Sequence, residues 1–323
     1  MENSVTKKSE VLFIYESNFN IPNGDPFTGE QRYDEETKKI LISDVRIKRY
    51  IRDYLLLKNY EIFVTNSYND GEDKEGSGAA RRFKKLQSDK KSKEKVKPDD
   101  LLKECIDVRL FGGIVTIKNK TSSEDNTNSF NLTGPVQFAL LNPSLNEVDL
   151  RIHQNTSVFS SSAEKKQGAI GTTTLVPYSI NQIHGWINPY SALCTNLTVN
   201  DIQIMFKALW NSINNVNTRS KANQNSLLLF NIIYKDSDKK IYDIDKLISL
   251  DTSNKSGEQI RSLKDVKFDF SKLIKVSQEE IIEKIQYYSD IDYIINQFEK
   301  DESIKNKLEK INLDEINYEG NKV

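Results

Sequence analysis

An apolar run, a turn-rich loop and an amphipathic helix follow one another early in the chain, and this order most limits how the chain can fold. Residues 11–17 (VLFIYES) are apolar and suited to a strand. A helix is predicted to begin near Ser43 or Asp44. Its apolar residues recur at the spacing of one buried stripe, namely Ile47, Ile51, Tyr54 and Leu55. The order therefore predicts a strand, a long loop and a helix with one face in the core.

Four cations of this helix lie away from the apolar stripe. At 100° per residue, Arg49 is opposite the stripe and Arg46 and Arg52 are on its flanks. Lys48 is at the margin, where its stem can reach outward. A solvated helix face is the alternative interpretation of such a set.

The loop before this helix favours anion binding. Asn23 and Gly24 are residues of unusual turns, in which backbone amides can point at a ligand. A simple surface turn explains the same two residues. The position of the loop between a strand and a basic helix is what favours anion binding over a simple turn.

The charge of the chain is balanced overall but uneven in its distribution. It has 46 basic and 47 acidic residues in 323, which argues against an evenly charged nucleic-acid coat. Residues 74–97 contain 10 Lys or Arg against 3 acids, whereas residues 278–323 contain 6 Lys against 12 acids. The basic segment is a candidate polyanion contact, and a solvated segment is its alternative.

Cysteine usage and hydropathy predict a cytoplasmic protein without a metal or a cofactor. Cys105 and Cys194 have no CxxC spacing, which gives neither a disulfide framework nor a zinc site. No apolar run approaches the roughly 18 residues of a membrane span, and the N-terminus has no apolar signal core.

The rest of the chain predicts an α+β fold. Further strands are predicted at 61–65, 107–118 (interrupted by Gly112 and Gly113), 134–141 and 227–235, with a projecting hairpin within 148–180. Helices are predicted at 98–105 and at 198–214, where Thr198 or Asn200 is the cap, and the chain beyond residue 245 reads as acidic and helical. Without the insertions, the order is the split β-α-β arrangement of ferredoxin-like domains.

Six segments in order carry a resemblance to a known family, and together they span about residues 10 to 235. They are the loop NIPNGDP with Arg32 and Asp34, the helix SDVRIKRYIRDYL, DVRLFGG, TGPVQFALLNPSLNEV, TSVFSS with QGAIG, and LWNSINNVNTRSK ahead of LLLF. The chain resembles the CRISPR-associated backbone subunit of type I Cascade complexes, in the RAMP superfamily. It is most like the I-B branch and next most like I-C.

The resemblance implies an RRM-like palm over residues 1–245. Within the palm it implies a finger-like helical insertion at 66–130 and a thumb hairpin at 150–182, followed by an acidic helical C-terminal extension at 246–323. Its implied partners are crRNA, target DNA, further copies of itself in a head-to-tail filament and other Cascade subunits, with no membrane. Guide–target pairing reads the sequence in such a complex, while the protein holds mainly backbone.

The residues expected to bind RNA come from the basic helix, its loop, a second basic loop and the thumb. They are Asn23, Arg32, Arg46, Lys48, Arg49, Arg52, Arg109, Lys165, Lys166, Gln167, Arg219 and Lys221. For Arg109, an internal ion pair is an equal alternative. Ile170 or Leu175 is expected to wedge between bases.

Two other functions are compatible with parts of the sequence. A RAMP-family endoribonuclease needs a general base or an acidic cutter, for which His153, His184 and Asp107 are the candidates. A generic RNA-binding RRM protein is the other, and the strands lack its aromatic pattern. The sequence favours a binding protein that is not an enzyme.

Overall fold

The computed structural model describes residues 3–65, 98–118, 127–156 and 170–318. The strands in these ranges are β1 (Ser9–Asn20), β2 (Tyr33–Asp34), β3 (Lys39–Ser43), β4 (Gly112–Lys118), β5 (Thr127–Thr133), β6 (Val136–Phe138), β7 (Leu141–Pro143), β8 (Arg151–Thr156), β9 (Ile170–Ile187), β10 (Gln224–Tyr234), β11 (Ser249–Asp251), β12 (Lys267–Asp269), β13 (Ile282–Tyr288) and β14 (Leu308–Lys310). The α-helices are α1 (Asp44–Leu57), α2 (Pro98–Glu104), α3 (Ile106–Phe111), α4 (Pro189–Thr195), α5 (Val199–Asn215), α6 (Ser271–Ser277) and α7 (Asp292–Glu299).

The largest sheet has the order β14-β13-β10-β1-β9-β6, and β8 pairs with β9. Every pairing in it is antiparallel except that of β13 with β14. β1 lies inside the sheet because its residues are apolar on both faces. Phe13 points into one core cluster and Leu12 and Ile14 into the other.

Helices α1 and α5 cover one face of this sheet. The apolar stripe predicted for α1 is confirmed, since Ile47, Ile51 and Leu55 are fully buried and Tyr54 packs against the same core. The cap predicted for α5 at Thr198 is also confirmed. Its hydroxyl accepts from the backbone N–H of Asp201, whose carboxylate accepts in return from the N–H of Thr198.

The predicted strand at 107–118 is correct only in its second half, because residues 106–111 form α3. Gly112 lies at the junction with φ of 76°. A Cβ there would be 2.0 Å from the carbonyl oxygen of Leu132, so only glycine fits this close approach of two backbones. The short strand predicted at 61–65 does not form, since these residues have no ladder partner among the described strands.

Two strands of the C-terminal region join the same sheet, which corrects the prediction of a helical extension at 246–323. β13 pairs with β10, and β14 extends the sheet beyond β13. Within β13, Ile282, Ile285 and Tyr287 are buried between more exposed residues. Ile285 and Tyr287 alternate with more exposed residues as in a half-buried strand, whereas Ile282 lies three positions before Ile285 because the register with β10 shifts there. The acidic composition of the region concealed this strand. α6 and α7 pack on the face of the sheet opposite α1.

β8 and the first part of β9 form an antiparallel hairpin, in register from Arg151 with Leu175 to Thr156 with Ile170. Its tip lies outside the described residues. No helix in the described ranges is both long enough and apolar enough to cross a membrane.

Candidate nucleic-acid interface

Asn23 holds the loop that precedes α1 onto the start of that helix. Its Oδ1 accepts hydrogen bonds from the backbone N–H of Ser43 at 3.1 Å and from the Ser43 hydroxyl at 2.8 Å. The backbone N–H of Asn23 donates to Oε1 of Gln31 at 2.9 Å. The Asn23 side chain is buried, so it fixes the loop rather than projecting from it.

Lys48 does not project outward as the sequence predicted. Its Nζ donates to Oε1 of Gln137 at 2.8 Å and to Oδ2 of Asp44 at 3.3 Å. Burial lowers the pKa of Lys48. The side chain therefore connects α1 to β6 inside the molecule.

Arg52, predicted on an exposed flank of α1, is also internal. Its Nε donates to Oδ2 of Asp107 at 2.9 Å, and Asp107 is fully buried. The same carboxylate accepts from the backbone N–H groups of Phe63 at 2.8 Å and Val64 at 3.1 Å. Arg52 thus joins α1 to α3 and to the segment after α1.

Arg49 and Arg32 are partly exposed and form ion pairs with nearby carboxylates. Arg49 meets Asp53 one helical turn later at 2.7 Å, with 39% of its side chain exposed. Arg32 meets Asp25 across the loop at 3.2 Å. Exposed pairs of this kind exchange partners at little cost, so both cations remain accessible to a ligand.

Arg46 differs from the other cations of α1. Its guanidinium lies 3.8 Å from the centroid of the Tyr50 ring, and its Nε is buried without a hydrogen-bond partner in the described ranges. No carboxylate of those ranges forms an ion pair with it. This cation is held in place without being neutralised.

Lys221 brings a second cation beside Arg46. Its Nζ donates to the carbonyl oxygen of Ile21 at 2.7 Å and to Oγ of Ser220 at 3.3 Å. Burial, and secondly the charge of Arg46, lower the pKa of Lys221 to about 8. Within the described part of the chain neither cation has an acidic partner. The two cations therefore repel each other, and together they attract an anion. We call these two residues the cation pair.

Buried polar side chains of the sheet lie next to the cation pair. Gln224 donates through Nε2 to the Tyr50 hydroxyl at 3.1 Å and accepts through Oε1 from the Ser17 hydroxyl at 3.4 Å. Three more polar atoms on neighbouring strand positions are buried without a partner among the described residues: Tyr15 Oη, Ser179 Oγ and Asn181 Oδ1. An unsatisfied buried polar group costs about 1–3 kcal/mol. These atoms lie in the interior between the sheet and α1, so they form a buried polar cluster beneath the cation pair and not a ligand surface.

Sequence reasoning did not find this polar group. Its signal is a set of polar residues at alternate positions of strands that otherwise read as apolar: Ser17, Ser179, Asn181 and Gln224. Ser17 is opposite both Ser179 and Gln224 in the sheet, and Asn181 is opposite Tyr15. Only knowledge of the pairing brings them together.

Arg109 adopts the alternative that the sequence left open. Its guanidinium binds Asp201 through two nitrogens, at 3.1 Å and 2.8 Å, and donates to the carbonyl oxygens of Leu102 and Lys103. The Arg109 guanidinium, bound to Asp201 through two nitrogens, fixes α2 and α3 to the start of α5. All of these donors are used internally.

Arg219 and Leu175 line one cleft of about 670 Å³ between the loop after β1, the β8–β9 hairpin and the loop before β10. Arg219 is exposed and Leu175 is partly buried. Ile170 begins β9. Lys165, Lys166 and Gln167 lie outside the described residues.

The candidates for nuclease chemistry are not assembled with one another. Asp107 is fully buried against Arg52, and His184 contacts the buried Glu10 at 2.8 Å. His153 is exposed on β8. The described ranges contain no group of three His, Cys, Asp or Glu side chains arranged to hold a metal.

Cations without an acidic partner, such as Arg46 and Lys221, attract a polyanion. The sequence matches the family described as CRISPR-associated protein Cas7 over residues 7–271. The chain belongs to this family.

A relative of similar sequence agrees with that assignment. A CRISPR-associated protein Cas7 from Haloferax volcanii is 30% identical over 291 residues, which cover 83% of this chain and 82% of the relative. A chain of a solved CRISPR RNA-guided surveillance complex has a similar fold, with a TM-score of 0.50, 10% identity, and coverage of 88% of this chain and 90% of that one. Another, from such a complex in a pre-nicking state, gives a TM-score of 0.49 and 11% identity, with coverage of 88% and 93%.

Proposed function

We propose that this protein is the crRNA-binding backbone subunit of a type I CRISPR surveillance complex. Copies of the chain polymerise along the guide and present it for pairing with target DNA. The other Cascade subunits are its further partners. Family membership and the cation pair support this role, and the motifs in the first 235 residues favour the I-B branch.

The antiparallel sheet with α1 and α5 corresponds to the ferredoxin-like, RRM-like palm in this proposal. The β8–β9 hairpin is the base of the thumb, and α2, α3 and the β4–β5 hairpin belong to the finger-like insertion. Head-to-tail stacking of copies then makes an open helical filament, because a heterologous interface that does not close propagates.

The cation pair is the observation that carries the proposal. Arg46 and Lys221 come from α1 and from the loop before β10, which are distant in sequence. Arg46 lies over the Tyr50 ring, the Tyr50 hydroxyl accepts from Gln224 Nε2, and Gln224 also donates to the carbonyl oxygen of Lys221, so the two cations lie on one side of the sheet. A phosphate between them gains charge-assisted hydrogen bonds and removes their mutual repulsion. Asn23 contributes by holding the loop, while Arg49, Arg32 and Arg219 are free to meet further phosphates.

The remaining predicted cations act through the fold in this proposal. Internal acceptors take the hydrogen bonds of Lys48, Arg52 and Arg109. These three side chains therefore position the helices around the proposed RNA-binding surface. The role is one of binding without catalysis. An endoribonuclease would need Asp107 or a histidine at an exposed phosphodiester, and only His153 among them is exposed.

RNA that copurifies with the protein tests this function directly. The protein is expressed with and without a repeat-spacer array, and the bound RNA is sized and footprinted with nuclease. Guide-length RNA with regularly spaced protection is expected only with the array. Mixed RNA without a regular spacing would contradict the filament. Cleavage by the purified protein that is lost in His153→Ala would contradict the binding-only role.

The affinity for RNA is expected to fall as pH rises through about 8, the pKa of Lys221 in the free protein. Because this pKa lies below that of an ordinary lysine, the cost of burying the charged form is fully present below about pH 8 and declines as pH rises from about 8 towards the ordinary pKa of lysine. A bound phosphate raises the pKa again, so binding above about pH 8 must take up a proton. Affinity then falls by at most about tenfold per pH unit, as fluorescence anisotropy measures.

Lys221→Arg is the matched control for this pH dependence. The guanidinium stays charged throughout the titration and therefore removes the slope above about pH 8. If Lys221→Arg keeps the wild-type slope, another group is responsible for the proton uptake.

A further inference from the structure

Phe19, near the end of β1, combines two unfavourable features. Its side chain is 62% exposed, and its backbone has φ of 45°. The left-handed region is disfavoured for any residue with a Cβ, and an exposed aromatic ring forgoes the gain from burial. Strain of this kind persists where the surrounding structure imposes it, typically at ligand-binding positions.

The neighbouring backbone explains how this conformation is held. In the β1–β9 ladder, Asn18 pairs with Tyr178 and Asn20 with Val176. Phe19 is therefore opposite Pro177, which has no N–H to donate to the ladder. On the other side, the N–H of Asn18 donates to Asn223 at 3.0 Å and that of Ile21 to Ser220 at 2.9 Å. The ring is presented by a backbone fixed on both sides.

Phe19 lines the cleft of about 670 Å³ that also contains Arg219, together with Asn20 and Glu30. Asn20 is 4% exposed and donates through Nδ2 to the carbonyl oxygen of Ala222 at 2.6 Å. Its Oδ1 is buried without a partner in the described part of the chain. The cleft thus combines an aromatic face, a cation, an unused acceptor and a carboxylate.

We propose that Phe19 is a stacking platform for one nucleobase of the bound RNA. Asn20 Oδ1 and the Glu30 carboxylate accept hydrogen bonds from the amino or imino groups of that base, and Arg219 meets its phosphate. A phosphate without a base fits less well, because the Glu30 carboxylate repels it and the Phe19 ring offers it no hydrogen bond and no stacking contact. The assignment rests on the proposed function and adds to it the residue that holds a base.

Stacking on an aromatic ring suits a guide of any sequence, since every base has a π face. The cleft volume is in the range of sites for small ligands and accommodates a single nucleotide. The stacking face therefore selects for an unpaired, unstacked base of any kind, and the two acceptors favour a base that offers an amino or imino donor towards them.

RNA binding by three variants of the full chain tests the platform. Phe19→Ala is expected to weaken the affinity for a labelled single-stranded RNA by about 5- to 150-fold, the usual range for loss of one stacked base. Phe19→Trp keeps a stacking face and is expected to retain binding. Phe27→Ala is the control, because Phe27 is 96% exposed on the adjacent loop and does not line the cleft.

A 2-aminopurine scanned along the RNA gives a readout specific to stacking. Its fluorescence is expected to be quenched in the wild type at the position that meets Phe19 and to recover in Phe19→Ala. Phe19→Gly separates this effect from folding, since glycine adopts the positive φ without strain. That variant is expected to melt no lower than Phe19→Ala and to lose RNA affinity equally.

The outcomes distinguish this assignment from the proposed function. Wild-type protein that binds no RNA overturns both. Wild-type protein that binds RNA while Phe19→Ala binds it equally well overturns only the platform. Unchanged RNA affinity with lost self-association in Phe19→Ala also overturns it and assigns the ring to a contact with another protein.

Discussion

Arg46→Glu is expected to reduce the affinity for guide RNA by at least about 100-fold while leaving the protein folded. The substitution removes a charge-assisted contact worth about 1.5–3 kcal/mol and puts a carboxylate where the phosphate would lie. It also neutralises Lys221, so both members of the cation pair are lost to the ligand. The salt dependence of the remaining binding is expected to become shallower, because fewer counterions are released.

Arg49→Glu is the matched control for Arg46→Glu. It makes the same change of charge on the same helix, but Arg49 is partly exposed and paired with Asp53. Its field is screened by solvent, so its effect on affinity is expected to be less than about tenfold. Electrophoretic mobility shift at several salt concentrations measures both variants. If Arg49→Glu loses the RNA and Arg46→Glu keeps it, the groove runs along the outer side of α1.

Arg52→Met is expected to destabilise the protein by about 3 kcal/mol, which is the largest effect on folding that we predict. The substitution keeps much of the side-chain volume but leaves Asp107 buried and charged with only the N–H groups of Phe63 and Val64 as partners. Urea denaturation measures the free energy of unfolding. Arg49→Met, which breaks an exposed pair on the same helix, is expected to cost less than about 1 kcal/mol.

The double variant Arg52→Met with Asp107→Asn identifies the cause of this loss. Because it removes the uncompensated charge, it is expected to recover part of the stability lost in Arg52→Met. Equal stability of the two single variants at positions 49 and 52 would contradict a buried pair. Arg52→Glu is consequently a poor test of the groove, since loss of RNA in that variant would follow from unfolding.

Helical periodicity predicted the buried face of α1 correctly, but it could not sort the cations on the other faces. The period fixes the direction in which Lys48 and Arg52 leave the helix. Whether they point to solvent depends on remote partners: Lys48 binds Gln137, 89 positions away, and Arg52 binds Asp107, 55 positions away. No local pattern predicts such remote partners, and none predicts that Arg46 has no acidic partner in the described ranges and instead lies near Lys221.

The strands show the same division between local and remote information. β1 and β10 were predictable because continuous apolar runs indicate strands buried on both faces. The cluster of polar strand residues was not predictable, since it forms only when Ser17, Ser179 and Gln224 are brought into register. In β13 the alternation covers only Ile285 to Tyr288 and is broken before it, and the surrounding acidic residues favoured a solvated helix.

The sheet order has a consequence for synthesis of the chain. Ser17 and Gln224 are 207 positions apart, so β1 cannot pair with β10 until most of the chain has been synthesised. β10 in turn remains an open edge until β13 has emerged. A nascent chain with such late partners exposes unpaired strand edges for a long time and is prone to aggregation. During translation this protein therefore depends on chaperones, or on fast completion of its C-terminal strands, more than a chain with local pairings does.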